Sequence, residues 1–95
     1  MVAEPVELVT VGRIERSFGV RGEVKVRSLS DVPGRLESLG AVSLLATNGK
    51  TWDTQVTHVR PAGQGYILAL EGLTSPEEAG QWRGGLIQIP KGSAP

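Results

Sequence analysis

The segment from Val11 to Val26 constrains the fold most, because it contains two strand patterns joined by a glycine turn. Glu23 to Ser28 alternates apolar and charged side chains, which is typical of a strand with one buried face. The preceding strand, Leu8 to Arg16, alternates and then changes phase at Gly12, so we predict a bulge or sharp coil there. Gly19 and Gly22 bound the predicted turn. The core of this hairpin is expected to contain Val11, Ile14, Val24 and Val26.

The rest of the chain continues with short strands and turn signals. Asn48-Gly49 predicts a two-residue type I′ turn, and Pro61 to Gly65 predicts a loop. Ser75 is the predicted N-cap of a helix of about two turns, Glu78 completes its capping box, and Gly84-Gly85 ends it. Further strands are predicted at Ala41 to Ala46, Thr51 to Arg60, Tyr66 to Leu70 and Leu86 to Ile89, with a helical turn carrying Leu36 and Leu39 as a plug. This pattern predicts an all-β fold, a small six-stranded antiparallel β-barrel with one short helix.

Composition excludes several classes of protein. Ninety-five residues are enough for one domain, and ten basic against ten acidic residues give no net charge to attract nucleic acid globally. Without cysteine there is no disulfide and no thiolate metal site. The N-terminus lacks the basic start of a signal peptide, and no apolar run approaches the roughly 20 residues of a membrane span. We expect a soluble cytoplasmic domain that does not act at a membrane.

Few residues could support catalysis. His58 is the single histidine, and strand alternation places it with Trp52 and Val56, so we predict a packed imidazole and no metal site. Ser17 has no nucleophile motif around it, and the acidic residues at 77 and 78 suit the first turn of a helix. The sequence predicts no enzyme, no cofactor and no small-molecule substrate.

Positive charge is concentrated in the first hairpin. Arginine can contact phosphate in bidentate fashion, and Phe18 at the turn offers a ring for stacking. The alternative is a solvated strand face with Phe18 turned inward, and the residues themselves leave both interpretations open. Five of the ten basic residues lie in or beside this hairpin: Arg13, Arg16, Arg21, Lys25 and Arg27.

Two groups of motifs resemble the N-terminal domain of the RimM family of bacterial ribosome maturation factors. The first is Val11-Gly-Arg-Ile14 followed by Gly19-Val-Arg-Gly-Glu-Val-Lys-Val26. The second is Glu71-Gly-Leu, followed after four residues by Glu78-Ala and then by Arg83-Gly. The connection Asp31-Val-Pro-Gly-Arg-Leu36 is also similar to the family pattern, so the resemblance covers nearly the whole chain.

The resemblance implies a barrel like those of translation factors and a role in late assembly of the small ribosomal subunit. The family is expected to bind free small subunits and to assist maturation of their rRNA without cleaving it. Residues 1–89 would form the N-terminal barrel, and residues 90–95 would begin a linker to a second, PRC-type barrel. The expected partners are rRNA and a ribosomal protein of the subunit head, the latter mainly through that second barrel. We expect a monomer.

The chain departs from the family pattern at two positions. Phe18 stands where histidine is common, and Trp82 stands where leucine is usual. Two other classes of function remain as alternatives, a free-standing RNA-binding barrel and an enzyme or cofactor barrel, since related barrels also bind flavins. The supply of four aromatic residues counts against the first, because stacking modules need several exposed rings. Fold alone cannot support the second.

Overall fold

Six antiparallel strands and two short helices form the fold in the computed structural model, which describes residues 7–30 and 36–90. The strands are β1 (Leu8–Phe18), β2 (Glu23–Ser28), β3 (Ala41–Leu45), β4 (Thr51–Ala62), β5 (Gly65–Leu70) and β6 (Leu86–Pro90). The α-helix α1 spans Pro76–Gly80, and a 3-10 helix spans Leu36–Ser38. The strands close into a barrel in the order β1-β2-β5-β4-β3-β6, with β6 pairing back to β1. The predicted six-stranded barrel is confirmed.

The barrel interior is filled by the aliphatic residues that strand alternation indicated. Val11, Ile14, Val24 and Val26 are all completely buried, as predicted. Leu36 from the 3-10 helix is also buried in this core, and Leu39 packs against it. The hydroxyl of Tyr66 in β5 donates a hydrogen bond to Oε1 of Glu37 at 3.3 Å and so connects the barrel to the 3-10 helix. The segment at 31–35 and residues 91–95 of the predicted linker lie outside the described residues.

Two bulges allow β1 to curve while keeping its apolar residues inside. Its register with β6 shifts between Thr10 and Gly12, and its register with β2 shifts between Ile14 and Arg16. The first shift adjoins Gly12, so the bulge predicted from the change of phase is confirmed. Each bulge adds one unpaired residue, and this lets residues three apart in sequence face the core together.

The β3–β4 hairpin differs from the predicted type I′ turn. Gly49 has a φ of 90°, but Asn48 does not have positive φ, as a type I′ turn would require. The backbone N–H of Gly49 donates to the carbonyl of Ala46 at 3.0 Å, and the side chain of Asn48 accepts from the N–H of Lys50 at 2.9 Å. The Asn48 contact is an Asx turn, which holds the asparagine in an ordinary conformation and leaves the glycine alone left-handed.

The β4 strand is longer than predicted and contains a bulge that the prediction missed. It continues through Pro61 to Ala62, so the predicted loop contracts to a turn before Gly65. The register with β5 shifts between Val56 and His58. This shift turns His58 to the exposed surface, and the prediction that it packs with Trp52 and Val56 is wrong.

The helix α1 begins as predicted and ends early. The hydroxyl of Ser75 accepts from the backbone N–H of Glu78 at 3.3 Å, and the Glu78 carboxylate accepts from the hydroxyls of Thr74 and Ser75, both at 3.1 Å. The predicted N-cap at Ser75 is therefore confirmed, but the Glu78 carboxylate accepts from side-chain hydroxyls and not from the Ser75 backbone N–H of a full capping box. The helix covers one turn instead of two, because it ends at Gly80, a poor helix former, and further turns lead to Gly84.

Candidate nucleic-acid interface

The outer surface of β1 and β2 carries two pairs of like charges. Arg13 pairs with Arg27 across the two strands, and Arg16 pairs with Lys25. Side chains opposite one another in an antiparallel pair have Cβ atoms about 5 Å apart, and like charges in that arrangement are destabilising. We call these four residues the basic strand face.

The second bulge in β1, at Glu15, places Arg13 and Arg16 on the same surface of the sheet. Ile14 pairs with Val26 and Arg16 pairs with Lys25, so Glu15 has no partner in β2. Without this extra residue, Arg13 and Arg16 would point to opposite sides of the sheet, because side chains alternate along a strand. The bulge therefore brings Arg16 into line with Arg13.

Within the part of the chain that the structure describes, no carboxylate lies at ion-pair distance from the basic strand face. Among residues 7–30 and 36–90, the ion pair given by the structure joins Arg60 and Glu23 at 3.8 Å, and none of the four cations lies within ion-pair distance of an acid. A concave surface of about 510 Å³ adjoins the face, and its lining also includes Ser28, Gln64 and Gly65 with the carboxylate of Glu15. The concave surface therefore carries two cationic side chains and one acidic side chain.

Two further side chains adjoin the basic strand face: Phe18 at the end of β1, and Arg60 in β4. Phe18 is half-buried, with the guanidinium of Arg16 at 5.7 Å from the ring centroid and that of Arg60 at 5.6 Å. Arg60 is in β4, and it reaches this position because Lys25 and Arg60 both pair with Ile67 of the intervening strand. Sequence reasoning missed Arg60, because only the strand order β2-β5-β4 brings it close to the first hairpin.

Arg21 does not belong to the basic strand face. It lies in the turn after β1 and lines a separate concavity of about 310 Å³ with Glu23, His58, Arg60 and Ala69. The turn glycines that flank it have positive φ, 71° at Gly19 and 82° at Gly22. The structure therefore brings four of the five basic residues together and leaves the fifth at the turn.

Arg83 is a second cation that sequence reasoning did not select. It follows α1 and lines a cleft of about 300 Å³ with Arg13, Ile14, Glu15, Arg27 and Gly84. The resemblance motif contained this arginine, but clustering along the sequence could not connect it with the first hairpin. Pairing of β6 with β1 brings the two regions together.

The tryptophans have a structural role. Trp52 and Trp82 stack with ring centroids 5.8 Å apart and an interplanar angle of 24°, and Trp82 is 5% exposed. Trp52 is partly buried against the same core. Both tryptophans therefore contribute to packing, and one face of each ring is covered by the other ring.

A metal site and a membrane-spanning helix would each require features that the described part of the chain lacks. No group of three or more histidine, aspartate and glutamate residues there has the arrangement of a metal site. None of the helices described there is long and apolar enough to cross a membrane.

Comparison with protein families identifies relatives of this chain. The model of the RimM N-terminal domain matches residues 9–94. A ribosome maturation factor RimM of Chromohalobacter salexigens is 36% identical over 94 residues, covering 98% of this chain and 50% of the relative. The RimM of Jannaschia sp. is 35% identical over 85 residues, covering 90% of this chain and 44% of the relative. The chain thus spans about half the length of these curated relatives.

Solved structures give the same result. A crystal structure of a Pseudomonas aeruginosa protein assigned as 16S ribosomal RNA processing protein RimM superposes with a TM-score of 0.81 and 32% identity, over 94% of this chain and 54% of that one. The solution structure of the N-terminal domain of RimM from Thermus thermophilus has a TM-score of 0.72 at 20% identity, over 93% and 94% of the two chains, and shows the shared fold. The chain belongs to the RimM family and corresponds to its N-terminal domain.

Proposed function

We propose that this chain is the rRNA-facing domain of a ribosome maturation factor. It acts in the cytoplasm in late assembly of the small-subunit head and in maturation of the subunit's rRNA, by binding free small subunits without catalysis. The names of its relatives support a role in ribosome maturation, and the name of the Pseudomonas protein supports a role connected with 16S rRNA. The observation that carries the proposal is the basic strand face, where two cationic pairs lie side by side and no acid among residues 7–30 and 36–90 is within ion-pair distance of them.

Cations that are not paired with acids in the described residues can bind the phosphates of a nucleic-acid backbone. Guanidinium groups bind phosphate oxygens with two parallel hydrogen bonds, and each neutralised phosphate releases condensed counterions. Because the chain has no net charge, this attraction is local and orients the domain instead of drawing it to any nucleic acid. Contacts to phosphates fix position and register, which is the role expected of an assembly factor that holds rRNA in place.

The same proposal gives a different partner to each of the two barrels expected in the whole protein. We assign contact with a ribosomal protein of the head mainly to the second barrel expected beyond the linker, and rRNA contact to the present domain. The whole protein acts as a monomer. Added to precursor rRNA, the purified chain is expected to leave the RNA uncut.

The direct test is a charge reversal on the basic strand face. We expect the double variant R13E/R27E to bind free small subunits about 100-fold more weakly than the unmodified protein, at about 1.4 kcal/mol for each lost phosphate contact. The matched control is K50E, which reverses a charge at the β3–β4 turn and is expected to change affinity less than about twofold. Sedimentation of labelled protein with free subunits measures both, and equal binding by the two variants would remove the surface assignment.

The alternative function, a free-standing RNA-binding barrel, is less well supported by the aromatic residues. Both tryptophans are used in packing, and Phe18 is already contacted by two guanidiniums. We therefore expect a short single-stranded RNA to bind much more weakly than the free subunit. Comparable affinities for the two, with steep salt dependence, would favour the free-standing module.

A further inference from the structure

We propose that Arg13, Arg27 and Arg83 form a binding site for one phosphate group of the rRNA backbone. The site is the cleft of about 300 Å³ between β1, β2 and the turn after α1, which we call the arginine cleft. This proposal rests on the proposed function and adds a residue, Arg83, from outside the first hairpin. It also names the chemical group that the surface binds.

The turn that carries Arg83 is fixed to β1 by the backbone. The N–H of Gly84 donates to the carbonyl of Ile14 at 2.7 Å, and the N–H of Ile14 donates to the carbonyl of Gly85 at 2.8 Å. Both hydrogen bonds are made by the backbone of Ile14, the residue after Arg13, and they hold the segment that follows Arg83 against the strand. The three guanidiniums are therefore carried by rigid, paired backbone, which lowers the entropy lost when a ligand binds.

The charge of the arginine cleft fits an anion with several oxygens. Three arginines and the carboxylate of Glu15 line it, and among the described residues none of the three arginines has an acid within ion-pair distance. All three arginine side chains are exposed, so they can reach an incoming group without rearranging the core. Planar guanidiniums from different elements can share the two free oxygens of a phosphodiester.

A neighbouring concavity favours an RNA strand over an isolated carboxylate. Arg27 and Glu15 line both the arginine cleft and the 510 Å³ surface, where Lys25 and Gln64 continue the lining. A repeating polyanion can occupy both in succession, whereas a single acidic side chain can fill only one. The arrangement points to consecutive phosphates of one strand, with the first held by Arg83.

The experiment measures binding to free small subunits and to deproteinised small-subunit rRNA at several salt concentrations. We expect R83Q to bind both about tenfold more weakly and to lower the slope of log K against log salt by about 1, as loss of one phosphate contact requires. R83K keeps the charge without the planar fork, so it is expected to keep the slope and lose about threefold in affinity. Thermal unfolding of each variant checks that the exposed substitution leaves the barrel intact.

The outcomes separate this proposal from the previous one. If R83Q binds with unchanged affinity and slope while R13E/R27E binds weakly, the arginine cleft is wrong and the rRNA-facing surface stands. If R83Q loses affinity only for subunits and not for deproteinised rRNA, the ligand is a protein carboxylate and the phosphate assignment is wrong. If the unmodified protein binds neither target, both proposals fall together.

Discussion

Gly19 and Gly22 share a left-handed backbone but differ in their surroundings. Both have positive φ, yet a Cβ at Gly19 would meet nothing within 4 Å, whereas one at Gly22 would lie 2.7 Å from the backbone nitrogen of Ser75 and 2.8 Å from the carbonyl of Leu73. The turn packs against the segment before α1 only because residue 22 has no side chain. Geometry therefore explains the G-x-x-G pattern without a phosphate.

These two glycines give a matched pair of substitutions. We expect G19A to lower the free energy of unfolding by about 1 kcal/mol, the cost of left-handed backbone for an L-residue. G22A adds a backbone clash, so its expected loss is about 3 kcal/mol. Urea unfolding measures both. Equal losses would mean that the turn does not pack against residues 73–75 in solution.

At the scale of elements, the sequence identifies strands better than it identifies their phase. The first bulge in β1, next to Gly12, could be predicted because this glycine interrupts the alternation of apolar residues. The prediction missed the bulge in β4, where Val56 and Val59 are three residues apart and both pack against the core. The same change of phase is present there as in β1, but no glycine marks it. Asn48-Gly49 predicted a type I′ turn centred on these two residues, but the observed turn spans Ala46 to Gly49 and places the glycine at its end. The dipeptide is common in both arrangements, so the sequence alone does not separate them.

The N-terminus of α1 is the part of the fold that local sequence determines most completely. The N-cap interaction that fixes it can be tested directly. We expect S75A to lower the free energy of unfolding by about 1 kcal/mol, because the Glu78 N–H loses its acceptor. S75D restores an acceptor and should recover most of that loss. T74A removes only an exposed hydroxyl contact with the Glu78 side chain and serves as the control, with an expected loss of a few tenths of a kcal/mol. Equal losses for S75A and T74A in thermal unfolding would contradict the cap.

At the scale of the whole molecule, closure of the barrel assembles the surface that we propose faces rRNA. Arg13, Arg16, Lys25 and Arg27 could be selected from the sequence because they crowd into one hairpin. Arg60 and Arg83 could not, because each joins the surface only through pairing between distant strands. Separation of Arg21 from the others likewise depends on the three-dimensional course of the turn.

The uncompensated charge of that surface should weaken the fold while favouring binding. We expect R27E to raise the free energy of unfolding by about 0.2–1 kcal/mol at low salt, because it replaces a cross-strand repulsion with Arg13 by an attraction. The same variant should bind free subunits more weakly. Thermal unfolding at low and high salt measures the first effect, which screening should diminish. A less stable R27E would show that Arg13 and Arg27 do not oppose each other closely.

Pairing of β1 with β6 places Leu8 beside Pro90, so the first and last strands of the barrel are neighbours. During synthesis, the earliest strand must wait for the latest one to emerge before its second edge is covered. Non-local pairings of this kind slow folding, and an uncovered strand edge invites association with other chains. The nascent domain therefore passes through a vulnerable period that ends only when the final strand is released, even though its first hairpin can form at once.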